Sequence, residues 1–208
     1  MSLLGRLHGG YVHERRTTVL RDILTPWIPP GARVLDVGCG DGLLAERIGE
    51  ARPDVAIEGV EVLVRPEVRI PVRPFDGLRL PYPDGAFDAV LLVDVVHHAE
   101  EPEALLLETA RVSRGVVLIK DHTREGFLAG PTLRFMDRVG NARHGVDIPG
   151  SYWPERVWRE TLPRLGFEIE AWTADLPLYP AWAAWWFGRS LHFAARLAPS
   201  LSRAAASP

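Results

Sequence analysis

Cysteine is almost absent from this sequence. Among its 208 residues only Cys39 carries a thiol, so no internal disulfide and no zinc cluster built from cysteines can form. No group of Cys and His residues along the chain suggests a catalytic metal, and we predict none. This cysteine usage is compatible with a reducing compartment.

Long uninterrupted apolar runs are missing as well. No stretch reaches the ~18 uncharged apolar residues of a membrane-spanning helix, because the most apolar segment, residues 181–197, contains Arg189, His192 and Arg196. Residues 1–10 lack the apolar core of a secretory leader. We therefore expect a cytoplasmic protein without stable membrane insertion.

Positive charge is not in excess. The formal net charge is −3, whereas nucleic-acid-binding domains usually present a basic face. We therefore expect no nucleic-acid partner. The chain is long enough for one domain with a sizeable core.

Short β-branched segments alternate with helical patterns along the chain. This order is typical of an α/β fold, in which a parallel sheet is connected by crossover helices. The predicted strands are 33–37, 55–60, 69–73, 87–93, 115–120, 167–172 and 190–197, with a helix as the alternative for 190–197. The predicted helices are 12–24, 43–51, 102–112 and 154–165.

We predict a single domain over residues 1–199. Residues 121–150 lack a regular pattern and are rich in glycine and proline. A loop of this length within one domain is usually a lid or a binding loop, or it is disordered, and we predict a lid-like insertion. Residues 200–208 are small and polar enough to predict a flexible tail.

A glycine-rich turn follows the first predicted strand. Asp36 lies near the end of that strand, and Gly38, Cys39, Gly40 and Gly42 come next. Glycines let the backbone turn tightly and approach a ligand closely. The helix that follows presents free N–H groups at the open end of the sheet.

Several kinds of binding site contain such a glycine-rich turn. A dinucleotide site needs G-x-G-x-x-G, but Leu43 stands where the third glycine belongs. A phosphate-binding P-loop needs Lys followed by Ser or Thr, which this segment lacks. Two interpretations of the turn remain: a turn with a structural role only, and a binding site for S-adenosylmethionine.

The segment 36–42, an acidic residue followed by G-x-G-x-G, resembles the first motif of class I S-adenosylmethionine-dependent methyltransferases. In such a site Asp36 would face the cationic amino end of the cofactor, whereas a pyrophosphate would be repelled. The ribose needs a carboxylate about 20 residues further on, after the next strand. Glu61 stands there.

The segment 75–88 strengthens this resemblance. It contains an acidic residue, a Leu-Pro-aromatic turn and Gly-x-Phe-Asp before the fourth strand, as in the same family. The resemblance implies that Asp76 accepts the adenine amino group and that Gly77 offers its backbone N–H to the ring. The alternative for Asp76 is a residue that only stabilises the turn.

The chain is similar to the small-molecule members of this family, which include the ubiquinone and menaquinone C-methylating enzymes. The resemblance implies a Rossmann-like, seven-stranded, mostly parallel sheet with helices on both faces and an antiparallel last strand. It also implies S-adenosylmethionine as cofactor and S-adenosylhomocysteine as product.

Candidate catalytic residues follow two predicted strands. They are Asp94, His97 and His98 after the fourth strand, and Asp121 and His122 after the fifth. Ligands of open α/β sheets bind beyond these strand ends; Asp94 is also a cofactor-binding candidate. The alternatives for the histidine pair are capping of the following helix and packing at the rim of the sheet. The alternative for Asp121 with His122 is a loop-anchoring hydrogen bond.

The same region bears on the substrate. Methyltransferases that act on nucleic-acid bases carry Asn or Asp, then Pro-Pro and an aromatic residue, after the fourth strand. This chain has Asp94-Val95-Val96 there, which disfavours base N-methylation.

Two further segments suggest substrate contacts. The insertion 121–150 combines apolar and arginine side chains and includes His144 and Asp147. Trp182, Trp185 and Trp186 follow helical spacing in the segment 176–187. These tryptophans could be core, substrate pocket, membrane-surface contact or a homodimer interface. Arg16 is a candidate partner for the cofactor carboxylate.

Three functions fit parts of this sequence. The leading hypothesis is methyl transfer to a small, partly apolar molecule by in-line displacement, with proximity and orientation as the main catalytic effect. The second is a non-catalytic subunit that binds S-adenosylmethionine and regulates or assists a partner. The third is a nucleotide-dependent oxidoreductase, which Asp36 and Leu43 disfavour.

Overall fold

The computed structural model describes residues 3–125, 129–133, 152–179 and 191–200, with side chains from residue 14 onward. Helices and strands alternate within this part of the chain. The strands are β1 (Arg33–Val37), β2 (Ala56–Glu61), β3 (Val72–Pro74), β4 (Phe87–Val93), β5 (Ser113–His122), β6 (Phe167–Thr173) and β7 (His192–Pro199). The helices are α1 (Leu3–Leu24), α2 (Leu43–Ala51), α3 (Pro102–Val112) and α4 (Glu155–Arg164).

The strands form one sheet in the order β3-β2-β1-β4-β5-β7-β6. The first five strands are parallel to one another, while β7 lies antiparallel between β5 and β6. The strand order reverses between β1 and β4, and ligands of open α/β sheets bind beyond the carboxyl ends of the strands at such a point. The predicted Rossmann-like architecture is confirmed.

The helices cover both faces of the sheet. Successive side chains of a strand point to opposite faces, so β4 divides its apolar residues between two clusters. Leu91 packs with Leu24 of α1 and Ile48 of α2. Val90 packs on the other face with residues of α3 and α4, among them Leu106 and Trp158.

The bounds of several elements differ from the prediction. Helix α1 begins at Leu3 rather than at residue 12, because Gly9 and Gly10 are poor helix formers that weaken the sequence signal. Strand β3 is Val72–Pro74 rather than 69–73. Strand β7 has the predicted type but runs two residues later than expected.

Strand β5 extends to His122, so Asp121 and His122 belong to the sheet and not to the predicted insertion. The reason is pairing with β7, where Asp121 lies opposite Phe193 and His122 opposite His192. Such pairing between distant segments has no signature in the local sequence.

The predicted insertion is not irregular throughout. Residues 129–133 are helical, and Ala129 and Leu133 are buried together with Tyr152 and Leu191. Residues 126–128 and 134–151 lie outside the described residues. So do residues 180–190, with the tryptophans of the homodimer hypothesis, and the tail from residue 201 on.

The connection from β2 to β3 contains no helix. Parallel neighbours are usually joined by a crossover of a dozen or more residues, most often a helix, but the segment 62–71 is irregular. Its backbone passes close to the glycine turn, since the Arg69 N–H donates to the Asp41 carbonyl at 2.9 Å.

No helix in the described part of the chain is long and apolar enough to cross a membrane.

Candidate active site

The glycine turn lies at the carboxyl end of β1, beside β2. The Gly38 N–H donates to the Val60 carbonyl at 2.8 Å, and the Gly42 N–H donates to the Cys39 carbonyl at 2.9 Å. Gly38 and Gly42 have φ angles of 69° and 81°, in the left-handed region that favours glycine. A Cβ at Gly38 would lie 2.6 Å from Val95, so the turn also packs tightly against the residues that follow β4.

Glu61 ends β2 and binds the glycine turn directly. One carboxylate oxygen accepts the Gly40 N–H at 2.8 Å, and the other accepts the Val62 N–H at 2.9 Å. Each carboxylate oxygen offers two acceptor positions. Glu61 therefore keeps capacity for two hydroxyl groups while it holds the turn in place.

Asp36 is buried near the end of β1, with 3% of its surface exposed. Burial, and then the negative charge of Glu61, raise the pKa of Asp36 to about 7. A buried carboxylate is favourable only beside a positive charge. Such a carboxyl group fits the cationic amino end of S-adenosylmethionine.

Cys39 contributes to the turn through its backbone. Burial, followed by the charges of Asp36 and Glu61, raises the pKa of its thiol to about 12. The thiol is thus neutral near pH 7, and a thiol is a poor nucleophile in that form. The structure is consistent with a cofactor contact by the main chain alone.

Asp76 and Gly77 lie after β3, near the end of β2. One oxygen of Asp76 accepts the N–H groups of Leu78 and Arg79 at 2.8 and 2.7 Å, and these bonds, led by that of Arg79, lower the pKa of Asp76. The turn-stabilising alternative is therefore realised. The predicted hydrogen bond from the adenine amino group would use the other carboxylate oxygen of Asp76, and it stays a prediction.

Large apolar side chains are exposed around Gly77. Val62, Leu63 and Leu78 are 52%, 64% and 49% exposed, and a Cβ at Gly77 would lie 3.5 Å from Val62. A small group of exposed apolar side chains next to a backbone left open by glycine suits a flat aromatic ring.

A cleft of about 580 Å³ opens beside the glycine turn. It is lined by Asp41 and by the irregular segment 65–69, and the Arg65 guanidinium lies near Gly40. The cofactor-binding residues predicted from the sequence are not among the residues that line it.

Asp94 comes directly after β4 and binds two cations. Its carboxylate forms ion pairs with Arg16 of α1 and with Lys120 of β5, and its φ of 58° is unusual for a residue other than glycine. Burial alone would raise the pKa of Asp94, but Arg16 and Lys120 hold it well below its ordinary range. Arg16, the candidate partner of the cofactor carboxylate, thus contacts Asp94.

Lys120 lies beside the candidate site through its ion pair with Asp94 and was not predicted from the sequence. It is fully buried, and burial lowers its pKa to about 8 although Asp94 opposes this. A signal was present, because Lys120 is the single lysine in a chain whose other basic side chains are arginines. It also lies at the carboxyl end of a parallel strand, where ligands bind.

Asp121 brings the ends of β4 and β5 together. Its Oδ2 accepts the Val96 N–H at 3.0 Å. Its Oδ1 accepts the His122 N–H at 2.6 Å and lies 2.5 Å from Nδ1 of His97. Burial alone would raise the pKa of Asp121, but His97 and His122 hold it below the ordinary range. The predicted loop-anchoring bond exists and is part of a larger polar cluster.

Four histidines meet around Asp121. The ring of His97 lies 3.9 Å from that of His98 and 4.6 Å from that of His122, and His192 of β7 follows at 4.8 Å from His122. Burial, and then the charge of His97, lowers the pKa of His98 to about 4. Burial, and then the charge of Lys120, lowers the pKa of His122 to about 4. Tyr152 stacks on His97 at 5.4 Å and joins the cluster to the helical segment 129–133.

His98 has an unused polar atom. Its Nδ1 is buried and has no hydrogen-bond partner in the part of the chain that the structure describes. A buried imidazole nitrogen of this kind is costly unless a ligand or water satisfies it.

The five catalytic candidates lie at one edge of the sheet, while His144 and Asp147 lie outside the described residues.

No cluster of metal ligands stands out along the sequence, and no metal was predicted. The structure nonetheless assembles three buried potential ligands, His97, Asp121 and His122, with donor atoms within 4.8 Å of one another. Linear spacing gives no sign of this group, since His97 is far from the other two residues in sequence.

Comparison with known proteins identifies the family. A family model described as a methyltransferase domain matches residues 11–171. The chain belongs to the class I S-adenosylmethionine-dependent methyltransferase family. The resemblance drawn from the glycine turn is confirmed, and the family and fold imply a site for S-adenosylmethionine.

Two relatives indicate the chemical range of similar methyltransferase domains. The 27-O-demethylrifamycin SV methyltransferase of Amycolatopsis mediterranei is 33% identical over an alignment of 129 residues, and the match covers 52% of this chain and 47% of the relative. The 2-methyl-6-phytyl-1,4-hydroquinone methyltransferase of Synechocystis is 28% identical over an alignment of 146 residues, and that match covers 65% of this chain and 40% of the relative. The methyltransferase domain thus spans about half the length of these relatives or less.

Solved structures agree on the fold. A S-adenosylmethionine-dependent methyltransferase from Thermotoga maritima superposes with a TM-score of 0.64 at 18% identity, covering 95% of this chain and 96% of that one. At this identity the likeness shows the architecture of the methyltransferase domain and not its substrate.

Proposed function

We propose that this protein transfers the methyl group of S-adenosylmethionine to a small, partly apolar molecule by in-line displacement. The observation that carries the proposal is the buried Asp36 carboxyl beside the glycine turn, at the point where the strand order reverses. A buried carboxyl with a raised pKa is costly for the fold when ionised, and a cationic ligand removes that cost.

In this proposal the cofactor lies across the ends of β1 and β2. The ribose hydroxyls bind Glu61, which already fixes the Gly40 N–H, and Asp36 faces the ammonium group. Adenine lies near Val62 and Leu78, with Asp76 and Gly77 at its edge. The backbone of Gly38, Cys39, Gly40 and Gly42 leaves room for the methionine part, and Asp94, with its two cations, lies beyond it.

The acceptor binds next to the sulfonium, over the polar cluster of Asp94, His97, His98, Asp121 and His122. Apolar cover comes from Tyr152 and from Leu133 of the helical segment 129–133. The sulfonium methyl is already activated, so the main contribution of the protein is to align the acceptor and exclude water. No observation on this structure favours the non-catalytic alternative.

The test is turnover with a matched pair of variants. The full chain is incubated with S-adenosylmethionine and a panel of small aromatic and polyketide-like acceptors with hydroxyl, amino or activated carbon positions, and release of S-adenosylhomocysteine is measured. We expect acceptor-dependent release that Glu61→Ala reduces at least tenfold. Glu50→Ala, a change at a side chain 57% exposed on α2, should keep wild-type rates.

Two results would count against the proposal. Equal turnover in Glu61→Ala and wild type would reject the assigned cofactor site. Tight cofactor binding without turnover over a broad panel would favour the non-catalytic function instead.

A further inference from the structure

We propose that His97, Asp121 and His122 bind a divalent transition-metal ion of the Zn²⁺ type. The three donor atoms form a small triangle: Nδ1 of His97 lies 2.5 Å from Oδ1 of Asp121, Nδ1 of His122 lies 3.5 Å from the same oxygen, and the two nitrogens lie 3.5 Å apart. The point equidistant from all three is about 1.9 Å from each, close to the ~2.0–2.2 Å of zinc bonds to nitrogen and oxygen.

The hydrogen bonds of Asp121 leave one position for this ion. Its Oδ2 is engaged by the Val96 N–H, and one lone pair of Oδ1 is used by the His122 N–H. Nδ1 of His97 and Nδ1 of His122 lie 2.5 and 3.5 Å from Oδ1, which keeps one acceptor position. Nδ1 of His122 also lies 3.6 Å from Oδ1 of Asp94. One cation satisfies both nitrogens and the oxygen together, and the backbone bonds fix the carboxylate as outer partners of a metal ligand do.

The donor set indicates the class of ion. Two imidazole nitrogens and one carboxylate oxygen suit Zn²⁺, Co²⁺ or Fe²⁺, whereas Mg²⁺ prefers a shell of oxygens. The residues are 1%, 0% and 3% exposed, so the ion would be largely shielded from bulk water. The three residues would hold the ion, and its remaining coordination positions would be open to a further ligand.

The surrounding charges suggest what fills those positions. Asp121 is the one carboxylate of the triangle, and its single negative charge does not neutralise a divalent ion. An anionic oxygen ligand would reduce this positive excess. This step rests on the proposed function: the acceptor would present a hydroxyl group, bound as its conjugate base, with the proton released to solvent.

Metal binding can be tested without any turnover. The full chain is stripped with a chelator, dialysed and titrated with Co²⁺, whose visible d–d absorption reports nitrogen and oxygen coordination, and Zn²⁺ content is determined by elemental analysis. We expect one ion per chain. His122→Gln should weaken Co²⁺ binding by about 100-fold, since loss of even an outer-shell partner costs ~10–100-fold.

A matched variant shows whether the three residues are the ligands. His192→Gln changes a buried histidine whose ring lies 4.8 Å from that of His122 but which is not part of the triangle, and it should keep one ion. S-adenosylhomocysteine binding by each variant confirms that the variant is folded.

The outcomes separate this inference from the proposed function. A wild-type protein that binds S-adenosylhomocysteine but takes up no stoichiometric ion overturns the metal site and leaves His97 and Asp121 as a hydrogen-bonded pair. Unchanged Co²⁺ affinity in His122→Gln also overturns it. A protein that binds one ion but no S-adenosylhomocysteine supports the metal site and rejects the proposed function.

Discussion

Asp36 links the pH of the solution to ligand binding. Burial and the nearby Glu61 raise its pKa to about 7, so the free protein holds this carboxyl mostly protonated below pH 7. A cationic group bound beside it favours the carboxylate. The ionised Asp36 carboxylate therefore destabilises the cofactor-free protein at high pH and stabilises the complex with the cofactor.

Cofactor affinity should consequently fall at low pH. Between pH 8 and pH 6 we expect S-adenosylhomocysteine to bind more weakly, approaching about tenfold per unit once the pH is below 7, because binding must then release the Asp36 proton. Calorimetry in two buffers of different ionisation enthalpy measures that release. An affinity independent of pH over this range would contradict the assignment of Asp36.

Replacement of Asp36 should stabilise the cofactor-free protein. A carboxyl whose pKa is raised in the folded state contributes stability below its unfolded pKa and loses it as the pH rises through about 7. Asp36→Asn should therefore increase the free energy of unfolding at pH 8 by up to about 4 kcal/mol. Urea unfolding at pH 8 and pH 4 should show this gain only at the higher pH, together with weaker cofactor binding.

Replacement of Asp94 should destabilise the protein, whereas replacement of Asp36 should stabilise it. Asp94→Ala leaves Lys120 buried without its carboxylate, and breaking a buried ion pair costs about 3–5 kcal/mol. Asp84 also pairs with a cation, Arg111, but its side chain is 82% exposed, so Asp84→Ala should cost less than about 1 kcal/mol. Equal losses in urea unfolding would show that the Asp94 pair contributes no more than a surface pair.

The positions of the residues at the carboxyl ends of β1 and β2 and in the glycine turn could be predicted from the sequence, because local spacing places them. Asp36, the three glycines and Glu61 lie where a strand, a turn and a helix must put them. Lys120 and Arg16 were not predicted to meet Asp94, since ion pairs between distant elements depend on how those elements pack.

At the scale of elements, the turn between β1 and α2 is tightly constrained. Gly42 has a φ of 81°, and a Cβ there would lie 2.6 Å from Ile70. Gly42→Ala should cost about 1–2 kcal/mol from the left-handed backbone alone and should weaken S-adenosylhomocysteine binding. Thermal unfolding and calorimetry measure the two effects.

Gly49, which lies inside α2, provides the control. It has an ordinary helical backbone, and a Cβ there would meet nothing within 4 Å. Gly49→Ala should stabilise α2 by about 0.5–1 kcal/mol without a change in cofactor affinity. Loss of binding in both variants would mean that the helix, and not the turn, limits affinity.

Element types were easier to predict than element ends. The apolar segments identify all seven strands, but the extension of β5 to His122 depends on pairing with β7. The helical segment 129–133 was missed because Gly130 and Pro131 are typical turn residues. Burial of Ala129 and Leu133 against Tyr152 and Leu191 offsets their poor helix propensity.

At the scale of the whole molecule, the strand order determines which residues meet. The order β3-β2-β1-β4-β5-β7-β6 brings the ends of β1, β2, β4 and β5 and the start of β7 to one edge. The cofactor residues and the histidine cluster therefore lie on the same side of the sheet although they are far apart in sequence. A single sequence predicts the sheet but not the geometry of that cluster.

The most direct test of the central claim is a calorimetric titration of the full chain with S-adenosylhomocysteine, with NAD as the control ligand. We predict one binding site per chain for S-adenosylhomocysteine, weakened in Glu61→Ala, and no binding of NAD. A folded protein that binds neither ligand, or that binds NAD in competition with S-adenosylhomocysteine, would contradict the assignment of the glycine turn as an S-adenosylmethionine site.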